Sequence, residues 1–221
     1  MILDFRAPSS PAEYLADICV IGAGAAGITI AHSLAGTKLS VCVVESGGLE
    51  LDGDTQALYE GQSVGQPPMM DLAASRLRYF GGTTGHWGGG CMPLDASDMA
   101  PRPWVPHSGW PISRESLEPY YDRARPILDV PDHRFGDPGL AARMTHQPPS
   151  FDPALLTSPY SMPSQRPRLG EAFRAGLERA ANVTILLNAN LTGFAVNDTA
   201  MLDGWIFSRT EARLFALAAL A

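Results

Sequence analysis

Residues 17–27 read Asp17-Ile18-Cys19-Val20-Ile21-Gly22-Ala23-Gly24-Ala25-Ala26-Gly27. The apolar run from Ile18 to Ile21 predicts a short buried strand. Three glycines in the spacing G-x-G-x-x-G then predict a tight turn that opens a helix. That helix carries Ile30 and Leu34 at i, i+4, and Gly36 closes it, as glycine often does. A second apolar strand, Val41-Cys-Val-Val-Glu45, ends in an acid eighteen residues past Gly27. Strand, glycine turn, helix, strand and acid together predict a dinucleotide-binding unit. Gly22 takes the sharp turn, Gly24 admits a pyrophosphate to the backbone, and Gly27 lets the helix lie close on the strand. The helix start, with Ala25 and Ala26, offers free N–H groups and the positive dipole end to phosphates. Glu45, followed by Ser46, is placed to accept from a ribose 2′-hydroxyl. A carboxylate there repels a 2′-phosphate, which disfavours NADP. The fingerprint alone leaves NAD and FAD both open.

Outward from this unit, composition narrows the class. Hydrophobic residues make up 45% of the 221 residues and charged ones 18%, enough apolar material for a packed core. The formal net charge is −7 and no basic stripe occurs, so nucleic-acid binding lacks its electrostatic footprint. No apolar stretch reaches the length of a membrane helix, and no membrane span is expected. The start, Met1-Ile-Leu-Asp4-Phe-Arg6, carries an acid early and no long apolar run, which argues against a secretory signal and for a cytoplasmic location. Cys19, Cys42 and Cys91 form no CxxC. Neither a zinc site, nor any other metal site, nor a dithiol redox pair is suggested.

Along the chain, residues 1–16 read as a short leader, and 47–74, broken by glycines and prolines, as an extended loop. Residues 76–91 read Arg76-Leu-Arg78-Tyr-Phe-Gly81-Gly82-Thr83-Thr84-Gly85-His86-Trp87-Gly88-Gly89-Gly90-Cys91. So many glycines predict neither a stable helix nor a good strand. They let backbone N–H groups come close to a ligand, while Thr83 and Thr84 add hydroxyls, Trp87 a flat apolar wall and His86 a donor or nucleophile. Ser113 reads as the N-cap of a helix over 114–125. Residues 126–167 are broken by prolines. From Arg168, Leu169, Phe173 and Leu177 predict one helix face, followed by a strand over Val183–Leu187. Residues 190–196 continue or pair with that strand. The apolar end, 213–221, reads as a helix turn or as a strand.

Together these segments resemble the glucose–methanol–choline family of FAD-dependent oxidoreductases, in the bacterial branch of sugar dehydrogenases and pyranose-oxidase-like enzymes. The likeness rests on Ile18 to Gly27, on Val43-Val-Glu45-Ser-Gly-Gly48, and above all on Arg78-Tyr-Phe-Gly-Gly-Thr-Thr-Gly-His86-Trp87-Gly-Gly. It extends to Pro103–Pro111, Pro119-Tyr-Tyr121 and Asn182–Thr192. The resemblance implies an α/β fold: a Rossmann-type FAD-binding domain (residues 1–100 and 168–221) with part of a second, irregular substrate or cap region (101–167). It implies FAD as cofactor, held by Gly22, Gly24, Ala25, Ala26, Gly27, Glu45, Ser46, Arg78, Gly81, Gly82, Thr83, Thr84, His86, Trp87, Gly88 and the strand at Leu191. It implies oxidation of a CH–OH group of a sugar or alcohol, with hydride transfer to flavin N5. Some relatives attach FAD through the histidine of Thr-His-Trp; here Gly85 precedes His86. None of His32, His86, His107, His133 or His146 matches the family's catalytic pair, so the catalytic residues stay unassigned. The expectation is a cofactor half, truncated or completed by a C-terminal half or partner chain. The alternatives are a non-catalytic dinucleotide-binding module and an NAD-dependent dehydrogenase, the latter leaving the His86-Trp87 loop without a role.

Overall fold

The computed structural model describes residues 1–8, 14–62, 64, 71–130, 152, 154–156, 161–196, 202–209 and 214–217. In chain order these give strands β1 (Ile2–Asp4) and β2 (Ile18–Ile21), helix α1 (Ala25–Leu34), strand β3 (Val41–Val44), and short helices α2 (Gly53–Ala57) and α3 (Leu72–Ser75). A 3-10 turn follows at Gly82–Gly85. Next come β4 (Gly90–Cys91), α4 (Ala96–Met99), a 3-10 turn at Glu115–Leu117, α5 (Glu118–Leu128) and β5 (Met162–Pro163). The last elements are α6 (Leu169–Arg179), β6 (Val183–Leu187), β7 (Ala189–Val196), β8 (Leu202–Arg209) and β9 (Leu214–Leu217).

The chain divides into two compact units, one of Met1–Trp87 with Arg168–Ala221, the other of Gly88–Pro167. The first unit is α/β. Its main sheet is parallel throughout, in the order β1-β6-β3-β2. Val20, Val43 and Ile185 stand in register across three strands, and every residue of β3 and β6 is buried, as a parallel sheet covered on both faces requires. Helix α6 buries Leu169, Phe173 and Leu177, and packs beside α1, with the rings of His32 and Phe173 4.6 Å apart. Burying one such side chain is worth about 1.5–3 kcal/mol. At the start of β6, the Asn182 amide donates to the Leu34 carbonyl at 2.9 Å and accepts from the Gly36 N–H at 2.8 Å, closing α1. Asn188, left-handed at φ +57, turns the chain from β6 into a separate antiparallel sheet, β7-β8-β9.

Several expectations are corrected. The leader holds β1, which pairs in parallel with β6; three residues are too short to show a period, and the partner is remote in sequence. The loop over 47–74 contains α2 and runs into α3. The glycine run holds a 3-10 turn and half of the β4–β5 pair. In the second unit, the Ser113 hydroxyl accepts from the Ser116 N–H, but the helix is α5, which continues past Pro126 to a left-handed Asp129. Residues 190–196 lie in β7, and within the apolar end Leu214–Leu217 form β9, a strand paired with β8. His133 and His146 lie outside the described residues. No helix among the described residues is long and apolar enough to cross a membrane.

Candidate functional site

The site lies at the C-terminal ends of β2 and β3, the usual ligand edge of an α/β sheet. Gly22 turns at φ +90 and its N–H donates to the Val44 carbonyl at 2.7 Å. Gly24 caps α1 without a side chain, so the first amides of a ten-residue helix have no intrahelical or side-chain partner. Gly27 faces the turn: a Cβ there would lie 1.9 Å from the Gly22 carbonyl oxygen and 3.3 Å from Val20. Gly24 differs. It has an ordinary φ of −79, and a Cβ would meet no protein atom within 4 Å. The fold requires glycine at 27; at 24 glycine keeps the helix N-terminus open.

Glu45 is buried, at 5% exposure. One carboxylate oxygen accepts from the Ala23 N–H at 2.7 Å, the other from the Gly47 N–H at 2.9 Å and the Ser46 hydroxyl at 3.3 Å. The acid therefore braces the glycine turn against the loop after β3. Loss of hydration holds Glu45 above its ordinary value near 4.5, against the pull of these donors and of the nearby Arg78 charge. The folded chain thus binds its proton more tightly than the unfolded one. Its contribution to stability is full below the ordinary value and is lost as pH rises through the raised one. Glu45→Gln removes this titration. In urea unfolding, the stability of the wild type relative to Glu45→Gln is expected to shrink as pH rises; a difference that grows contradicts burial as the dominant effect.

The second glycine loop packs on the first. The Gly81 N–H donates to the Ala23 carbonyl at 2.9 Å, and a Cβ on Gly82 would stand 3.0 Å from the Gly24 Cα. The buried Thr84 hydroxyl donates to the Gly81 carbonyl at 2.6 Å. Thr83, exposed, accepts at its carbonyl from the N–H groups of His86 and Trp87. Arg168 fastens the far end by donating to the carbonyls of Thr84 and Trp87 at 3.0 and 3.1 Å. On the other side the Phe80 N–H donates to the Gly48 carbonyl, and Gly47 lies flat on the backbone of Arg78 and Tyr79. Arg78 stacks over the Tyr59 ring at 4.7 Å, and its buried Nε–H has no protein partner. Between this loop and the start of α6 is a cleft of about 110 Å³, lined among others by Tyr79, Arg168, Glu171 and Arg174.

Of the residues singled out in the sequence, the fold gathers Gly22, Gly24, Ala25, Ala26, Gly27, Glu45, Ser46, Gly81, Gly82, Thr83 and Thr84 around the start of α1, with Arg78 near Glu45. His86 is exposed and Trp87 half-buried, at the end of the loop. Leu191 packs against the cluster of Phe5, Ala16, Cys42 and Leu186. It follows Ala189, whose N–H donates to the Glu45 carbonyl. Gly88 belongs to the other unit. Sequence reasoning missed Asn188, Arg168 and Gln56. The Asn188 N–H donates to the Gly47 carbonyl and its amide to Asp4. Gln56 joins the carbonyls of Ala73 and Arg76 to the Arg78 N–H. Only the asparagine, a residue that tolerates the left-handed region, carried a local signal.

No protein-family model and no curated protein matches the sequence. Among solved structures, a fungal aryl-alcohol oxidase superposes on 92% of the chain with TM-score 0.54 at 16% identity. The 3-ketosteroid-delta4-(5alpha)-dehydrogenase of Rhodococcus jostii RHA1 superposes on 93% with TM-score 0.52 at 14% identity. The chain covers 44% of the length of each. At these identities the likeness is one of fold, and both of these neighbours are, by their names, oxidoreductases.

Proposed function

We propose that this chain is the FAD-binding part of a flavin-dependent oxidoreductase acting on the CH–OH group of a sugar or alcohol. The observation that carries the reading is the open N-terminus of α1, kept clear by Gly24 and braced by Glu45. The amides of Ala25 and Ala26 would hold the pyrophosphate, where a helix N-terminus favours anions. The Glu45 carboxylate has about four acceptor sites, and the backbone and Ser46 leave capacity for a ribose hydroxyl. Gly81, Gly82 and Thr83 would border the cofactor on its other side, Trp87 would wall the flavin end, and the unpaired Arg78 Nε–H would meet an acceptor of the bound dinucleotide. Bound FAD would supply the acceptor for the hydride of the alcohol carbon. The regions 1–100 and 168–221 form the cofactor part on this reading, and 101–167 the cap.

The test separates fold from binding. Gly24→Ala adds a methyl that touches no protein atom, so it costs under about 1 kcal/mol of stability. It places that methyl where the pyrophosphate would lie. Losing one hydrogen bond to a charged group, about 1.5–3 kcal/mol, weakens FAD binding roughly tenfold or more. Equal FAD affinity in the two proteins, measured by flavin fluorescence, overturns the reading, as does displacement of FAD by NAD.

A second reading, that the chain is a cofactor half needing further polypeptide, is favoured by the edge of β2. Ile18 and Gly22 direct their N–H groups to the carbonyls of Ser40 and Val44 beside β3. Cys19 and Ile21 therefore present theirs outward, where no described strand pairs. In doubly wound nucleotide-binding sheets the fingerprint strand lies inside the sheet. On this reading the chain alone binds FAD but reduces no dye with sugars or alcohols, and turnover appears when a second chain supplies the neighbouring strand.

A further inference from the structure

The β2–β3 register sets Cys19 directly opposite Cys42. Neighbouring strands lie about 4.7–4.9 Å apart, inside the roughly 4.4–6.8 Å that the Cα atoms of a disulfide span. Both side chains stand on one face of the sheet, Cys42 within the cluster of Phe5, Ala16, Val44 and Leu186, and Cys19 against it. Cys42 has no exposed surface, whereas Cys19, on the edge strand, is only partly covered. The nearby Cys42 thiol holds the Cys19 thiol below its ordinary value, while its own is pushed up by Cys19 and by burial. The two sulfurs therefore differ: one is reachable and more readily ionised, the other shielded and protonated. The absence of CxxC hid this pair, because sheet register rather than sequence spacing makes it.

We propose that Cys19 and Cys42 are a redox-active pair that closes a disulfide across β2 and β3 when the chain meets a hydroperoxide. The Cys19 thiolate attacks the peroxide oxygen, the O–O bond breaks, and a sulfenic acid forms with release of hydroxide, which is protonated to water. The Cys42 sulfur then attacks the Cys19 sulfur. Its thiol proton joins the departing hydroxyl as a second water, and the S–S bond forms. Two thiols lose two electrons in all, and hydrogen peroxide takes them up. The bond ties together the strands that lead into Gly22 and Glu45.

The test uses the full chain and hydrogen peroxide, followed by denaturation, alkylation and tryptic mapping. Trypsin cuts after Arg6, Lys38 and Arg76, so the bond joins peptides 7–38 and 39–76. The expected result is that linked pair, with alkylatable thiols falling from three to one and returning on reduction. Cys42→Ser is expected instead to accumulate a dimedone-reactive sulfenic acid at Cys19. If that variant does not fold, the wild-type map decides alone. Alkylation of both Cys19 and Cys42 after peroxide overturns the proposal, as does a bond through Cys91 or between two molecules.

Discussion

Gly27→Ala is expected to destabilise the fold by about 3 kcal/mol or more, the upper end of overpacking costs. Its Cβ would lie 1.9 Å from the Gly22 carbonyl oxygen and 3.1 Å from its carbon. Backbone cannot yield as a flexible side chain does. The Gly22 N–H is held by Val44 and the Ala23 N–H by Glu45, so the turn moves only by breaking both bonds. For a chain of this size the loss is expected to lower Tm by about 6–12 °C, and on the proposed function FAD affinity is expected to fall with it. A wild-type Tm in Gly27→Ala contradicts the packing described for α1. The contrast with Gly24→Ala, three residues away, makes the result specific: one glycine serves the fold, the other the open helix end.

Gly47→Ala is expected to be as damaging for a different reason. Its Cβ would lie 2.1 Å from the Arg78 carbonyl oxygen and 2.6 Å from both the Arg78 carbonyl carbon and the Tyr79 Cα. Neither side can retreat cheaply. The Gly47 N–H is bound to Glu45 and its carbonyl to Asn188, while the Phe80 N–H is bound to the Gly48 carbonyl. The least costly response is to release the loop that runs from Arg78 to Trp87. Limited trypsin digestion reads this directly, with cleavage after Arg76 and Arg78 expected to accelerate well beyond the wild-type rate. Unchanged cleavage with unchanged Tm would show that this contact does not hold the loop in place.

The β2–α1–β3 unit was legible because its signals are local: an apolar run, glycines at fixed offsets, a helical period and an acid at the strand end. The same locality explains Leu169, Phe173 and Leu177 on α6. β1 was not legible, because Ile2–Asp4 gains its structure from Val183–Leu187 and carries no period of its own. α5 runs beyond Pro126, where the proline signal pointed to irregular chain. Each glycine loop could be read separately, but their meeting could not; it depends on the Gly81 N–H reaching the Ala23 carbonyl. The bonding of Glu45 was hidden likewise. The sequence pattern points its carboxylate at a ribose, whereas the fold also makes it the brace between two turns. Cys19 and Cys42 read as two small apolar residues until register paired them.

The most direct measurement is an amide nitrogen–proton NMR titration of the chain with FAD. The expected result is saturable shifts at Gly24, Ala25 and Ala26, joined by Gly81 and Gly82 across the packed loops. Binding that leaves those amides unmoved, with shifts instead around Tyr79, Arg168 and Glu171, would contradict a pyrophosphate site at the start of α1, as would the absence of any saturable shift.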